Sequence, residues 1–519
     1  MKKILVQKDS YHDSVFLMQI NTEIKKIAGV KEAVVSMGTE MNLDLLKEMG
    51  LSDRQVETAT ANDLIIAVEG ETSEAAEHAI RKANELLWKK KGTKKEKEYR
   101  PPSLDAALNV IPQANMAIIS LPGEFAAREA RKALNRGLHV MLFSDNVSLE
   151  EEIELKRVAR EKGLLMMGPD CGTAIINGKP LCFANVVRRG DIGIVAASGT
   201  GLQEVTCLIN RFGKGISQAI GTGGRDLKNE KAGGTMMLMG IEALQKDHKT
   251  RVIVVISKPP SEKTAERVVE ALKKGGKPAV IHFIGLESGS GSKDLLYAEN
   301  LEETARIAVA LAAGNEYRKQ ALSLSEEALK NIIERETEKM SSGQKYIRGL
   351  FTGGTLADEA IFVLEKSTGE VYSNIQTKPK FILENPHISK NHTIIDLGDD
   401  VFTVGRPHPM IDPSTRIERI GKEAEDPEVA LLLLDVMLGY GSHPDPAGAM
   451  VESIVKAKDK AGTRGGYLSV IASITGTEMD FQNLEDQRNK LESAGCVVMP
   501  SNFQASVLAS RITERIGAK

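Results

Sequence analysis

The spacing of apolar residues changes character near residue 104, and the change divides the chain. Up to residue 90, strand-like stretches, KILVQK (3–8), EAVVSMG (32–38) and DLIIAVEG (63–70), alternate with helical patterns at 15–27, 43–49 and 73–87. That βαββαβ-type order predicts a small α+β domain over residues 1–90. The run WKKKGTKKEKEYRPPS (88–103) follows, and its dense charge and closing Pro pair read as a solvated linker rather than a nucleic-acid contact.

Beyond residue 104 the strands become short continuous apolar runs. They are ANMAIISL (114–121), HVMLFSD (139–145), LLMMGPD (164–170), DIGIVAAS (191–198), SQAIGTGG (217–224), RVIVVISK (251–258) and PAVIHFIG (278–285). Runs of this kind mark strands covered on both faces of a parallel sheet. Helical patterns at 124–136, 149–162, 201–212, 235–245 and 262–274 separate most of them. Two doubly wound units fit, at 104–168 and 169–315. A polar helical stretch leads to residue 344, and YIRGLFTGG, HTIIDLGDD, VALLLLDVML, YLSVIASITG and CVVMPSN then define a third such domain at 345–519. The expected class is α/β: several doubly wound parallel-sheet domains behind a small α+β domain.

Composition narrows the chemistry. The 519 residues are 41% hydrophobic and 27% charged with a formal net charge of −3, which gives no reason to expect nucleic acid or an anionic membrane as partner. No apolar run reaches the roughly 18 residues of a membrane span, and the start MKKILVQKDSYHD lacks a secretory h-region, so the cytoplasm is the expected compartment. Cys171, Cys182, Cys207 and Cys496 are too few and too scattered for a disulfide framework or a zinc site, and no metal is expected.

Two Gly-rich turns carry the candidate chemistry. In VAASGTGLQEV (195–205) an apolar strand stops at Ser198, Gly199, Thr200 and Gly201 before a helix, with no Lys of the nucleotide P-loop kind. In LLLLDVMLGYGSHPDPAGAM (431–450) the same grammar gives Gly439, Tyr440, Gly441, Ser442 and His443. A helix start exposes unpaired N–H groups at the positive end of its dipole, so each turn is a candidate phosphate cradle.

The motifs MGPDCGT (167–173), GDIGIVAASGTGLQE (190–204) and SQAIGTGGRD (217–226) resemble the α-subunit of succinyl-CoA synthetases. GLFTGGTLADEA (349–360), IIDLGDD (394–400) and PEVALLLLDVMLGYG (427–441) resemble the CoA-ligase domain of the β-subunit. With LFSDNVSLEEEI (142–153), VISKPP (255–260) and GRPHPMIDP (405–413), the arrangement resembles the FdrA family. The resemblance implies a Rossmann-like CoA-binding-type domain at 104–168 and flavodoxin-like CoA-ligase domains at 169–315 and 345–519. It also implies that two helix starts face each other around one phosphate, and 198–201 and 439–443 are expected to be that pair.

Departures from the synthetases bear on the reaction. No histidine occurs between His282 and His387, where the synthetase carries its phosphohistidine, and His282 sits in an apolar strand where a core role is expected. Lys258, in SKPP, replaces the synthetase glutamate that pairs with that histidine and suits a phosphate or carboxylate. No Gly-rich nucleotide-binding turn precedes ISLPGEFAARE, which argues against CoA. In VGRPHPMIDP, Arg406 offers a planar fork and His408 a titratable ring, so Lys258, Arg406 and His408 are the catalytic candidates. Asp170, Cys171, Gly353, Gly354, Thr355 and Asp396 are further candidates for substrate contact, with Cys171 read either as a nucleophile or as a small buried residue.

The FdrA resemblance implies a subunit of oxamate carbamoyltransferase in allantoin and purine catabolism, with phosphate or carbamoyl phosphate as substrate and other subunits or a homo-oligomer as partners. The alternatives are an acyl-CoA synthetase, an acid–thiol ligase, and a non-catalytic scaffold that binds an anion.

Overall fold

The computed structural model describes residues 1–519 except 9, 11, 13, 90–100, 286–290, 405 and 518–519, so most of the expected linker lies outside the described residues. Two compact units result, one of residues 1–103 with 406–407 and one of the remainder.

In the first unit the strand Leu64–Gly70 lies between Lys2–Gln7 and Val30–Met37, antiparallel to both. Its sequence, LIIAVEG, is apolar on both faces because both faces are covered. Helices Ser14–Lys25 and Ser73–Lys89 close one side over Leu17, Ile24, Ile66 and Val68, and Leu46, Leu51 and Val56 pack on Ile65 and Ala67 on the other. Three strands form among the described residues, one fewer than the βαββαβ order implies.

The second unit holds three sheets. A small parallel sheet is made of Met116–Ile119, His139–Leu142 and Met166–Met167. A seven-stranded sheet runs Leu295–Tyr297, Ala279–Phe283, Val252–Ser257, Arg189–Ala197, Ile216–Gly221, Thr173–Ile176 and Lys179–Cys182. Its strands are parallel except for the hairpin Thr173–Ile176/Lys179–Cys182 at one edge. The third sheet is fully parallel, in the order Thr393–Asp396, Tyr346–Phe351, Val429–Met437, Ser469–Thr475 and Val497–Met499. Every residue of Val429–Met437 is buried, as a strand covered by helices on both faces requires.

One apolar cluster joins the two large sheets. It runs from Ile194, Leu202 and Val254 through Leu356, Ala357 and Ile361 to Leu433, Ala505 and Leu508. The synthetase α-like and β-like parts therefore share a core rather than meeting at a polar domain boundary. Among the described residues no helix is long and apolar enough to cross a membrane.

Candidate functional site

The shared core places two strand-to-helix turns against each other. Strand Arg189–Ala197 ends at Ser198, whose Oγ caps helix Gly199–Arg211 by accepting the Gly201 N–H at 3.1 Å. Strand Tyr346–Phe351 ends at Thr352, and helix Gly354–Thr368 follows with Gly353 as its cap. Gly353 has no side chain to cap with, so a neighbouring strand fixes the turn. Asp435 accepts the N–H groups of Thr352 at 2.9 Å and Gly353 at 2.8 Å. Arg416 holds that carboxylate at 2.9 Å, and both members of the pair are buried.

The two helix starts touch. The N–H of Thr355 donates to Oγ1 of Thr200 at 3.3 Å, and the hydroxyls of Ser198 and Thr355 lie 2.7 Å apart. A β-carbon at Gly201 would stand 2.9 Å from the Thr355 methyl, and one at Gly353 would stand 3.0 Å from the Thr200 methyl. Glycine is required at both by close approach. First-turn N–H groups of two helices, each start equivalent to roughly half a positive charge, thus converge on one place.

Charged side chains rim that place. Lys258, just past strand Val252–Ser257, reaches Asp358 on the second turn of helix Gly354–Thr368 at 2.7 Å. Burial works to lower the Lys258 pKa, but Asp358, Asp396 and Asp170 together raise it, so the ammonium stays charged. Asp396 Oδ2 lies 2.4 Å, and Lys258 Nζ 3.6 Å, from the position of a β-carbon on Gly354. Burial pushes the Asp396 carboxyl up to about 7 against the pull of Lys258 and the Gly398 N–H. Asp170 is solvent-accessible yet ringed by protein, as in a cleft, and burial with the nearby Asp145 pushes it up to about 6. Such a set, one cation among carboxyls that are readily protonated at a double helix start, can hold an anion and exchange a proton with it.

His408 belongs to this cluster in a form the sequence does not suggest. Its Nδ1 accepts the Met410 N–H at 3.2 Å, which leaves the proton on Nε2. A β-carbon on Gly398 would lie 2.6 Å from that Nε2 and 3.2 Å from Oδ1 of Asp396. Burial, then Arg416, lowers its pKa to about 4, so it is a neutral donor at pH 7 rather than a titrating ring. Arg406 is exposed and is grouped with residues 1–103.

The second expected cradle is corrected. Residues 439–443 do not start a helix: helix Pro446–Thr463 begins later, capped by Asp445, which accepts the Gly448 N–H at 3.1 Å and pairs with Lys490 at 3.0 Å. A carboxylate of the chain already occupies that positive end. Gly439 (φ 101°) and Gly441 (φ 80°) instead shape a turn that lies on residues 182–184. Tyr440 is exposed and donates its N–H to Ala184 at 2.9 Å, Ser442 is buried, and the His443 N–H goes to Met410 at 2.7 Å. The start that meets 198–201 is 353–355.

Two further residues fall outside the chemistry. The Cys171 thiol is buried, contacts the Thr173 carbonyl and is pushed up to about 12 by burial, which suits a packing role and not a thiolate nucleophile. His282 is buried in its strand with Nδ1 2.9 Å from the Ala298 carbonyl, and burial lowers it to about 4.

Asp358, Asp435, Glu204, Glu359 and Asn502 escaped the sequence reading. A signal for the true partner turn was present: GTGLQE (199–204) and GTLADE (354–359) share the pattern G-T-x-x-x-E, which 439–443 lacks.

Residues 1–102 match the family described as "AllF, heavy metal-associated domain", residues 187–285 a CoA binding domain, and residues 350–512 a CoA-ligase domain. The heavy-metal chemistry does not fit these residues. All four cysteines lie beyond residue 170, and among the described residues no group of three or more His, Cys, Asp or Glu could hold a metal ion.

The succinate–CoA ligase [ADP-forming] subunit alpha 2 of Archaeoglobus fulgidus is 24% identical over 184 residues, 35% of this chain and 62% of that protein. The ADP-forming sulfoacetate-CoA ligase subunit SauD of Bilophila wadsworthia is 26% identical over 189 residues, again 35% and 62%. The chain thus spans about three-fifths of the length of those ligase subunits. An acetyl-coenzyme A synthetase from Ca. Korarchaeum cryptofilum aligns at 15% identity over 78% of this chain and 84% of its own, with a TM-score of 0.32.

These matches overturn the carbamoyltransferase expectation: residues 350–512 match a CoA-ligase domain, the ligase relatives named above are CoA ligases of the acid–thiol type, and neither allantoin breakdown nor the FdrA name is carried by them. The chain therefore carries a CoA-binding-type and a CoA-ligase-type domain and is similar to succinate–CoA ligase α-subunits over about a third of its length. It is 46% identical over 508 residues, 98% of each chain, to the uncharacterized protein YahF of Escherichia coli (strain K12), and it belongs to the YahF family.

Proposed function

We propose that the chain provides the acyl-transfer centre of an acid–thiol ligase, interconverting a small acyl phosphate plus CoA with an acyl-CoA plus inorganic phosphate. The contact between Thr355 and Thr200 carries this reading, because it brings two helix starts together where a phosphate needs donors. In the forward step the CoA sulfur attacks the acyl carbon and the carbon–oxygen bond to phosphate breaks. The electron pair of that bond leaves on phosphate, held by the helix starts and Lys258. Asp396, with its carboxyl near pH 7, is placed to take the thiol proton, and the neutral His408 ring offers an Nε2–H beside it. The relatives' ligases carry the word "subunit" in their names, which supports a separate polypeptide for the nucleotide-dependent step. A cytoplasmic location belongs to the same proposal.

The test is arsenolysis. The purified chain, given succinyl-, acetyl- or sulfoacetyl-CoA and arsenate, is expected to destroy the thioester, because an acyl arsenate formed in place of the acyl phosphate hydrolyses at once. Phosphate binding without any arsenate-dependent thioester loss across the panel would contradict catalysis and leave the scaffold alternative.

A further inference from the structure

Two buried glutamates take no part in that chemistry, and each lies at the same offset from a helix start. Glu204 and Glu359 close the G-T-x-x-x-E patterns of helices Gly199–Arg211 and Gly354–Thr368. One residue bridges them. Asn502, buried at the head of the last helix, Asn502–Gly517, donates its backbone N–H to Glu204 at 3.2 Å and its side-chain amide to Glu359 at 2.8 Å. The same amide donates to the Leu356 carbonyl at 3.0 Å, within the first turn of the second site helix.

The remaining bonds anchor the bridge on every side. Glu204 also accepts the Thr475 hydroxyl, and Glu359 accepts the Leu301 N–H at 2.8 Å. Glu302, which carries Arg306 at 2.6 Å and Gln504 at 2.8 Å, lies close enough to raise the pKa of both glutamates, and Arg211 faces Glu204. Two buried carboxyl groups on two site helices therefore share one neutral double donor. A buried Asn is costly to place, and its own Oδ1 has no partner among the described residues. An apolar residue would pack a helix end at lower cost and keep the backbone bond to Glu204, but it could not reach Glu359, so the bridge depends on the amide.

We propose that Asn502 is a positioning residue for the anion site: by tying Glu204 to Glu359 it fixes the separation of the starts at Gly199 and Gly354. The inference rests on the reading that those starts hold phosphate, but the alignment itself is measurable without phosphate. A chain carrying Thr200→Cys and Thr355→Cys brings two thiols to the point where the helices touch, and its rate of disulfide formation reports their alignment. Asn502→Asp sets a third carboxylate against Glu204 and Glu359, while Asn502→Asp with Glu359→Gln exchanges donor and acceptor and restores the bridge.

Crosslinking and, in the threonine-containing chain, inorganic phosphate affinity by calorimetry are each expected to fall about tenfold in Asn502→Asp and to recover to within about threefold in the exchanged pair. Asn502→Ala is measured alongside in case the aspartate variant fails to fold, and the same fall is expected. Equal crosslinking rates in folded Asn502, Asn502→Asp and Asn502→Ala chains would overturn the positioning role. Retained alignment dependence with no phosphate binding by the unmodified chain would instead overturn the phosphate reading.

Discussion

The Thr355 N–H donates to the Thr200 hydroxyl oxygen across 3.3 Å, joining the second residues of two helices that follow strands of different sheets. That single bond requires a shared core, two small-residue turns and glycine at Gly201 and Gly353, so its neighbourhood is sensitive to single atoms.

Gly354→Ala would set a β-carbon 2.4 Å from Asp396 Oδ2, and Gly201→Ala one 2.9 Å from the Thr355 methyl. Each substitution is expected to cost about 1–3 kcal/mol of stability, from overpacking, and to abolish anion binding. Gly421→Ala serves as the control, since it meets nothing within 4 Å inside helix Ser414–Glu423, and it is expected to gain about 0.5–1 kcal/mol. Thermal melts with phosphate titrations check both; a Gly354→Ala chain that binds phosphate normally would count against the site.

Lys258→Ala removes an ammonium from this site and leaves Asp358 without its 2.7 Å partner. Phosphate affinity is expected to drop by about 1–2 kcal/mol, roughly tenfold, as for one charge-assisted bond at a half-exposed site. Calorimetry that finds no change would place the anion away from Lys258.

Anion binding is expected to weaken as pH rises through about 7, because Asp396 passes from neutral to charged there. Sulfate, a dianion throughout this range, is the suitable probe, and its affinity should fall about tenfold between pH 6 and 8. Asp396→Asn should flatten most of that fall, with Asp170, pushed up to about 6, leaving a shallower limb at lower pH. A profile unchanged by Asp396→Asn would assign the titration elsewhere.

Glu359 makes a matching statement about stability. Its carboxyl is pushed from 4.5 to about 7 by burial, so the folded chain holds a proton that the unfolded chain has released between those values. Folding stability from this group is therefore full below about pH 4.5 and lost as pH rises to about 7, by up to about 3 kcal/mol. Denaturant midpoints of the unmodified chain should decline over that window more steeply than those of Glu359→Gln; parallel curves would show that Glu359 does not titrate there.

Much of the fold is legible in the chain. VALLLLDVM could only be a strand covered on both faces, and Ser198 before GTG is a helix cap that the structure shows in place. The misreading of 439–443 has a physical cause. An apolar strand and a Gly-rich turn precede the helix at both sites, but Asp445 and Pro446 in SHPDPAG mark a helix start already capped by its own carboxylate. Gly353, by contrast, brings no capping side chain; Asp435 takes its N–H and Thr200 that of Thr355, so a ligand at this start would meet the neighbouring first-turn N–H groups. Asp435 and Asn502 give no local signal, since the partners of Asp435 at Gly353 and of Asn502 at Glu204 are distant in the chain and only packing joins them.

The most direct measurement is anomalous diffraction from crystals of the chain grown with arsenate, which marks the anion by its heavy atom. The expected result is one arsenate within hydrogen-bond distance of the first-turn N–H groups of both Gly199–Arg211 and Gly354–Thr368, with Lys258 Nζ beside it. Arsenate at the 439–443 turn, or at neither helix start, would contradict the site.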